Sequence, residues 1–470
     1  MNRTFITLAA ALWMGSISAT TFAAETEVKA RRNYAQMLEQ GEVRMAVPFE
    51  RVTYVESKKQ ILGVAPQIAK YLGSFLSKKY KKPIQVKIVP SVLGNMLNEI
   101  DQGNADFALV YGRKYEDQLK SGKYLLYTRP HLEESLIVTK TGTVPINSLL
   151  DLSGQDVCVS RLKDTKALTD ANEILIKSGK KPINIYQDKH ALDDEDFLQM
   201  LNAGLISNTF VATWKAQLWK PYFTNLQLND GTKSPGGSPG DIVVLKTNKD
   251  LATDVLSFAN SPDLEQALAI YRKNDFNIRK GALKSPVTPE EWKRFESMLG
   301  FFRLYGHQNR LDPLFLASLG FQESMLNQNA VSPTGAIGVM QLLPSTGESL
   351  NVGNIHLLEP NIHAGAKYMS SLIYALSIEG DLTDMERNFF AVAAYNAGPN
   401  NIRKARALAS TMGFDPNKWF ENVEMSTAKL FGVETFLYVR NVYKYYVSYD
   451  IEQRHISISQ ENLMPKEMAQ

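Results

Sequence analysis

One cysteine stands among the 470 residues. A single thiol forms no internal disulfide, so a packed core and not covalent staples must hold this chain. Cys158 lies in the apolar run Asp156-Val157-Cys158-Val159-Ser160 and reads as a small buried hydrophobe. Histidine is nearly as scarce. Of six, His356 and His363 stand close in sequence but lack a third ligand at metal spacing, so no metal site and no cofactor is expected. Charge of one sign is not in excess either: 52 Lys and Arg against 49 Asp and Glu leave +3. That balance carries no nucleic-acid signature, yet it does not oppose approach to an anionic polymer. G-x-G-x-x-G and Walker spacings are absent, so the glycines of Asp230 to Gly240 form no phosphate cradle and read as a surface loop. Internal repeats and low-complexity tracts are missing as well.

Long apolar runs are also lacking. Near the N-terminus Arg3 precedes a stretch from Phe5 to Met14, then small residues lead to Ala23 and Ala24. This is the pattern of a cleaved export signal over residues 1–24, and the run is shorter than the roughly 20 residues a spanning helix needs. The expected mature protein is exported to the periplasm, with peripheral attachment to the outer membrane as a further expectation.

What the chain does contain falls into two parts. From residue 25 to 280, short β-rich runs alternate with helical ones. Glu42 to Val47, Ile84 to Val89 and Asp106 to Val110 read as strands, and Pro66 to Leu76 and Val92 to Ile100 as helices. A second cycle follows beyond Leu150, with strands at Val157 and Ile183 to Tyr186 around a helix from Ala167 to Lys177. Two cycles predict a two-lobed α/β unit with mainly parallel sheet. Residues 281–289 (GALKSPVTP) read as a linker. From 290 to 452 nearly everything is helical: Trp292 to Arg303, Pro313 to Ser324, Ala364 to Leu376, Glu386 to Tyr395, Asn400 to Met412 and Ala428 to Tyr449. Residues 453–470 read as a loose tail.

Within the helical part, Asp312 is a good N-cap and Pro313 a good first residue. Leu316, Leu319 and Glu323 then share one stripe, which places the Glu323 carboxyl on an inward face. Desolvation there raises a carboxyl pKa, as a general acid near neutral pH requires. Ser332-Pro333-Thr334-Gly335-Ala336-Ile337-Gly338-Val339-Met340-Gln341 follows. Farther on come Asn361-Ile362 with Gly365 and Tyr368, then Ala394-Tyr395-Asn396-Ala397-Gly398-Pro399, then Glu434-Thr435 with Tyr438-Val439.

This series resembles the soluble-lytic-transglycosylase family, whose fold is all-α and lysozyme-like. The resemblance implies a peptidoglycan lyase that cleaves glycan strands between N-acetylmuramic acid and N-acetylglucosamine. Glu323 would be the sole acid/base, and Ser324, beside it in the Glu-Ser pair, would contact substrate. Ser332 would orient the reacting sugar, or only shape the turn before Pro333. Met340 and Gln341 would line the cleft, although Met340 also fits a core position. Tyr395 and Asn396 would hold substrate near the cleavage point. Glu434 and Tyr438 would close the back of the site, unless Glu434 is a buried carboxylate that tunes Glu323. One departure is Phe436, where the family often has Arg. No Asp follows Glu323 at short range to act as a nucleophile, and Asp381 and Asp384 suit helix capping. A hydrolytic muramidase and a non-catalytic glycan-binding protein with a solute-sensing domain are the competing readings.

The first part is similar to family-3 periplasmic solute-binding domains, through Leu62-Gly63-Val64-Ala65-Pro66, Gly103-Asn104-Ala105-Asp106-Phe107 and the Asp-Leu-Ser-Gly ending at Gly154. That resemblance implies an Arg and an Asp clamping an amino acid. Gln118 and Ser207 stand there instead, with Arg113 as the nearest substitute. Burying charged ligand ends without partners is costly, so a free amino acid fits poorly, and stem peptides or muropeptides, a partner protein or no ligand at all stay open.

Overall fold

The computed structural model describes residues 31–463, apart from 93, 112–118, 128–133, 162, 236–239, 280–282 and 378–381. The expected export signal, Arg113, Gln118, Asp381 and residues 464–470 therefore lie outside the described residues.

The first lobe begins with α1 (Tyr34–Gln40) and β1 (Glu42–Pro48). A short hairpin follows, β2 (Val55–Glu56) and β3 (Ile61–Leu62), then α2 (Ala65–Tyr80), β4 (Gln85–Ser91), α3 (Met96–Asp101), β5 (Phe107–Tyr111) and β6 (Tyr124–Tyr127). The chain then builds the second lobe from β7 (Glu134–Lys140), β8 (Asp156–Val159), α4 (Lys166–Lys177), β9 (Asn184–Gln187), α5 (Asp194–Ala203), β10 (Asn208–Ala212), α6 (Thr213–Trp219) and β11 (Leu226–Pro235). It returns to the first lobe with β12 (Gly240–Leu245), followed by α7 (Lys249–Ala259) and α8 (Pro262–Arg279).

The sheet orders are β4-β1-β5-β12-β6 and β11-β7-β10-β8-β9. In the first sheet β4, β1 and β5 run parallel, while β12 runs antiparallel to both β5 and β6. In the second, β10, β8 and β9 are parallel and β7 is antiparallel to β10 and β11. The sheets are thus mixed and not mainly parallel. The antiparallel pairings involve the strands on either side of the two crossings between lobes, and these strands lack a covering βαβ helix that would impose parallel order. Residues 230–235 also differ from the expected loop, because they extend β11. A bulge between Asn229 and Ser234 shifts the register. There the Thr232 hydroxyl accepts from the Ile137 amide at 2.9 Å and donates to the Asn229 carbonyl at 2.7 Å, which keeps the polar segment in the sheet.

Period-two alternation buries both faces of the first sheet. Val43, Met45 and Val47 join the large core, whereas Ala46, Ala108 and Val243 pack with Met96, Leu97 and Ile100 of α3. The second sheet repeats the pattern. Leu136, Val138 and Val211 face the large core, and Ile137, Val157, Val159 and Phe210 face α4.

Within the stretch expected as a linker, Ser285 is buried and its hydroxyl donates to the Gly204 carbonyl at 2.8 Å. Helices α9 (Pro289–Gln308), α10 (Pro313–Ser324), α11 (Pro344–Ser349), α12 (Leu358–Ser377), α13 (Asp384–Ala397), α14 (Pro399–Thr411), α15 (Glu424–Phe431) and α16 (Glu434–Leu463) form the C-terminal part. The expected single helix from Ala428 to Tyr449 is split. Gly432, at φ 105°, ends α15 in a conformation that a side chain would strain. Helix α16 then runs to Leu463, through the first part of the expected tail.

Candidate active site

Helix α10 is capped as its sequence suggests: the Asp312 carboxylate accepts from the amides of Leu314 and Phe315 at 2.8 and 3.2 Å. Every residue from Phe315 to Phe321 is buried, so this helix is apolar around its whole circumference and forms the centre of the helical bundle. It packs on α9 and α16. Glu323 lies in its last turn, half-buried, where the helix leaves the core.

Burial pushes the Glu323 carboxyl up to about 7, against the opposing effect of a hydrogen bond from the Tyr438 hydroxyl. Tyr438 lies one turn into α16 and is buried. Its own hydroxyl is held far above the ordinary phenol range by burial and by the Glu323 charge, so it stays a donor. Among the described residues, no second carboxylate is hydrogen-bonded to Glu323. The result is one carboxyl that is protonated for about half the time near neutrality.

The segment after α10 is shaped by polar contacts. The Ser324 hydroxyl donates to the Val339 carbonyl at 2.9 Å and accepts from the Asn327 amide at 3.0 Å, so it ties the acid's helix to the following loop. The Ser332 oxygen accepts from the Ala336 amide at 3.0 Å and lies 2.9 Å from the Thr334 hydroxyl, closing the turn around Pro333. Gln341 adopts φ 45° and its side-chain amide donates to the carbonyls of Ala330 and Gly338 at 3.1 and 2.9 Å.

Met340 needs a correction. Its side chain is fully buried, between Gly320 of α10 and Gly365 of α12, and so belongs to the core and not to a cleft wall. A β-carbon at Gly365 would lie only 2.5 Å from it, which explains the small residue there. What Met340 presents instead is its carbonyl, which accepts from the Tyr395 hydroxyl at 2.7 Å. Tyr395 is half-buried, and the Glu323 charge is among the causes that raise its pKa, after burial. Asn396, next in sequence, is exposed and accepts from the Thr435 hydroxyl at 2.8 Å. Glu434 is exposed at the start of α16, with its carboxylate folded over Gly432. The alternative of a buried tuning carboxylate at 434 therefore does not hold. Phe436 is buried, with the Arg440 guanidinium 5.3 Å from its ring centre. Arg440 pairs with Glu424 at 2.8 Å and leaves Glu434 alone.

Asn361 was named in the sequence without a role. It is fully buried, and its side chain accepts from the Met340 amide at 2.8 Å while donating to the carbonyls of Ile337 and Ile355 at 2.9 and 3.0 Å. A β-carbon at Gly338, where φ is 78°, would lie 2.4 Å from the Asn361 amide. Asn361 and Gly338 together therefore set the backbone whose carbonyl holds Tyr395. The available signal was Asn361 beside Ile362, with Gly365 and Tyr368 following on the same helix.

Residues 301–418 match the family model of the Transglycosylase SLT domain. The chain thus joins a two-lobed α/β unit to a transglycosylase SLT domain. It is similar to the membrane-bound lytic murein transglycosylase F of Pseudomonas fluorescens (strain Pf0-1), 24% identical over 82% of this chain and 76% of that protein. The protein of the same name from Ectopseudomonas mendocina (strain ymp) is 25% identical, over 87% of this chain and 85% of that one. Among solved structures, an amino acid ABC transporter substrate-binding protein from Streptococcus pneumoniae bound to L-arginine is 15% identical, covering 52% of this chain and 98% of its own, at TM-score 0.33.

Proposed function

We infer that this chain is a peptidoglycan lytic transglycosylase acting in cell-wall remodelling or turnover. The observation that carries the reading is Glu323: a lone carboxyl with a pKa near neutrality, on the matched domain, hydrogen-bonded to Tyr438. The protonated Glu323 gives its proton to the glycosidic oxygen as the bond between N-acetylmuramic acid C1 and that oxygen breaks. The carboxylate then takes the proton of the same sugar's 6-hydroxyl as its oxygen closes on C1. One bond forms for the one broken, no water is consumed, and the product ends in 1,6-anhydro-N-acetylmuramic acid. Most glycosidases need two flanking carboxylates; the internal hydroxyl takes the place of the second.

Glu323 is the proposed acid/base. Tyr395 and Tyr438 hold its surroundings, while Ser332, Gln341 and Asn396 contact glycan and Ser324 steadies the loop. Residues 290–452 form the proposed catalytic part, 281–289 the connection, and 25–280 the solute-binding-like part, after an export signal over 1–24. The protein works in the periplasm, peripherally associated with the outer membrane, and no described helix is long and apolar enough to cross one. Stem peptides or muropeptides are the proposed partners of the two-lobed part.

Mass spectrometry of products from purified sacculi tests the reaction. Muropeptides with 1,6-anhydro ends are expected, and products one water heavier would make the protein a muramidase. Glu323→Gln should lower the rate at least about 100-fold while sacculus binding persists, since acid–base catalysis is typically worth about 10²–10⁴-fold.

A further inference from the structure

A cavity of about 440 Å³ lies in the two-lobed part, on the side of the first sheet covered by α2, α7 and α8 and closed by α6 of the second lobe. It falls within the size range of small-molecule sites, about 300–1,000 Å³. Its body is apolar: Ile68 and Leu72 of α2, Leu109 of β5, Phe258 of α7, Leu218 of α6 and Leu268 of α8. No residue of the SLT domain contributes to it.

Three of the polar residues on its wall, Trp214, Lys215 and Arg272, carry donors only. Trp214 lines it, and the indole Nε1 is buried without a hydrogen-bond partner among the described residues. Lys215 lines it beside Trp214, its ammonium 5.6 Å from that ring and 3.0 Å from the Glu195 carboxylate. Arg272 lines it from α8. Its Nε donates to the Leu268 carbonyl at 3.2 Å, and no carboxylate among the described residues pairs with its guanidinium. Glu265, two turns earlier on α8, also borders the cavity but is exposed to water, which screens its charge.

An apolar body bordered by the Arg272 guanidinium, with Lys215 already paired to Glu195, suits one kind of ligand. A peptide backbone laid along this wall would leave N–H and C=O groups without partners, at a high cost. An acyl chain has no such groups, and a carboxylate head accepts from the Arg272 guanidinium. We propose that this chamber binds a single-chain amphiphile with an anionic head, specifically a long-chain carboxylate. The site is separate from the proposed glycan cleft.

The test uses the mature full-length chain, stripped of lipid and titrated with the fluorescent carboxylate cis-parinarate. One saturable site is expected, displaced by palmitate. Leu268→Trp, which fills the chamber, should abolish binding; Ala259→Leu, a milder filling change, should weaken it at least tenfold if the first variant folds poorly. Arg272→Gln should weaken palmitate at least tenfold and leave a neutral long-chain alcohol unaffected. Muropeptide release from sacculi should not change in any of these variants, so loss of the lipid site and loss of the lyase reading are told apart. Unsaturable uptake, or binding that survives both filling changes, would overturn the proposal. Displacement by a stem peptide, or by lysophosphatidylglycerol more strongly than by palmitate, would also overturn it, by assigning the chamber to a peptide or a phospholipid.

Discussion

Glu323 illustrates how one residue's surroundings set both rate and stability. Its folded pKa, about 7, lies above the ordinary carboxyl value of 4.5 because burial disfavours the charge. The acid form needed for proton donation is therefore lost as pH rises through 7, and kcat should fall along an alkaline limb centred there. Tyr438 donates to the carboxylate and so holds the pKa down. Tyr438→Phe should move that limb to higher pH, measured as a pH–rate profile on soluble glycan. A limb that stays in place would mean that the hydrogen bond does not favour the ionised form. Stability follows the same linkage. A folded pKa raised above the unfolded one contributes stability that is complete below pH 4.5 and disappears as pH rises through 7. Glu323→Gln, which never ionises, should thus be more stable than the parent at pH 8, by roughly 1–3 kcal/mol, with the difference vanishing near pH 4. Paired urea titrations at the two pH values measure it.

At the scale of elements, α16 does two jobs. Near its start it offers Tyr438 to the acid, and from Arg440 onward it meets the second lobe. Arg440 is buried and reaches Asp196 at 3.1 Å, the Ala191 carbonyl at 3.1 Å and Glu424 at 2.8 Å. Tyr443 donates to Asp188 at 2.6 Å, and Lys444 lies 2.6 Å from Asp196. Asp196 itself lies in the first turn of α5, where the helix dipole favours an anion, and also pairs with Arg51 of the first lobe at 2.8 Å. Removing one partner from such a network leaves buried charge uncompensated. Arg440→Ala should cost about 3–5 kcal/mol of unfolding free energy, read from the urea midpoint. A loss below about 1 kcal/mol would show that water enters and replaces the guanidinium. In the helical bundle, Asn361→Leu keeps the volume but leaves the Met340 amide unpaired. Activity should drop at least tenfold through displacement of the Met340 carbonyl and Tyr395, with sacculus binding weakened alongside it.

For the molecule as a whole, the charges near the meeting of the lobes are spent on one another. Lys163 pairs with Asp194 at 3.0 Å, Asp194 also accepts from Ser160 and from the Ala212 amide, and Arg51 holds Asp193 and Asp196. Ser207, where the resemblance called for an Asp, is exposed at the turn before β10. Free polar amino acids should therefore not bind. Loss of a buried charge partner typically costs about 2–5 kcal/mol, enough to move a micromolar site toward millimolar. Calorimetry of the full chain with the twenty amino acids checks this, and micromolar binding of any of them would sink the expectation.

What the sequence determined by itself is local or ordered along the chain. Period-two and helical patterns marked the two α/β cycles and the helical third, because burial of alternating or striped apolar residues follows directly from backbone geometry. The cap at Asp312 and the acid at Glu323 were legible for the same reason, as neighbours within a few residues. Only the tertiary structure decided the rest. Two crossings between lobes made the sheets mixed, Gly432 divided what read as one helix, and packing drew Met340 into the core between two glycines far apart in sequence. It also decided that Tyr438, 115 residues from Glu323, is its hydrogen-bond partner, and that α16 is shared between both parts of the chain. Contacts of that kind depend on which helices pack together, and no spacing along a single chain encodes them.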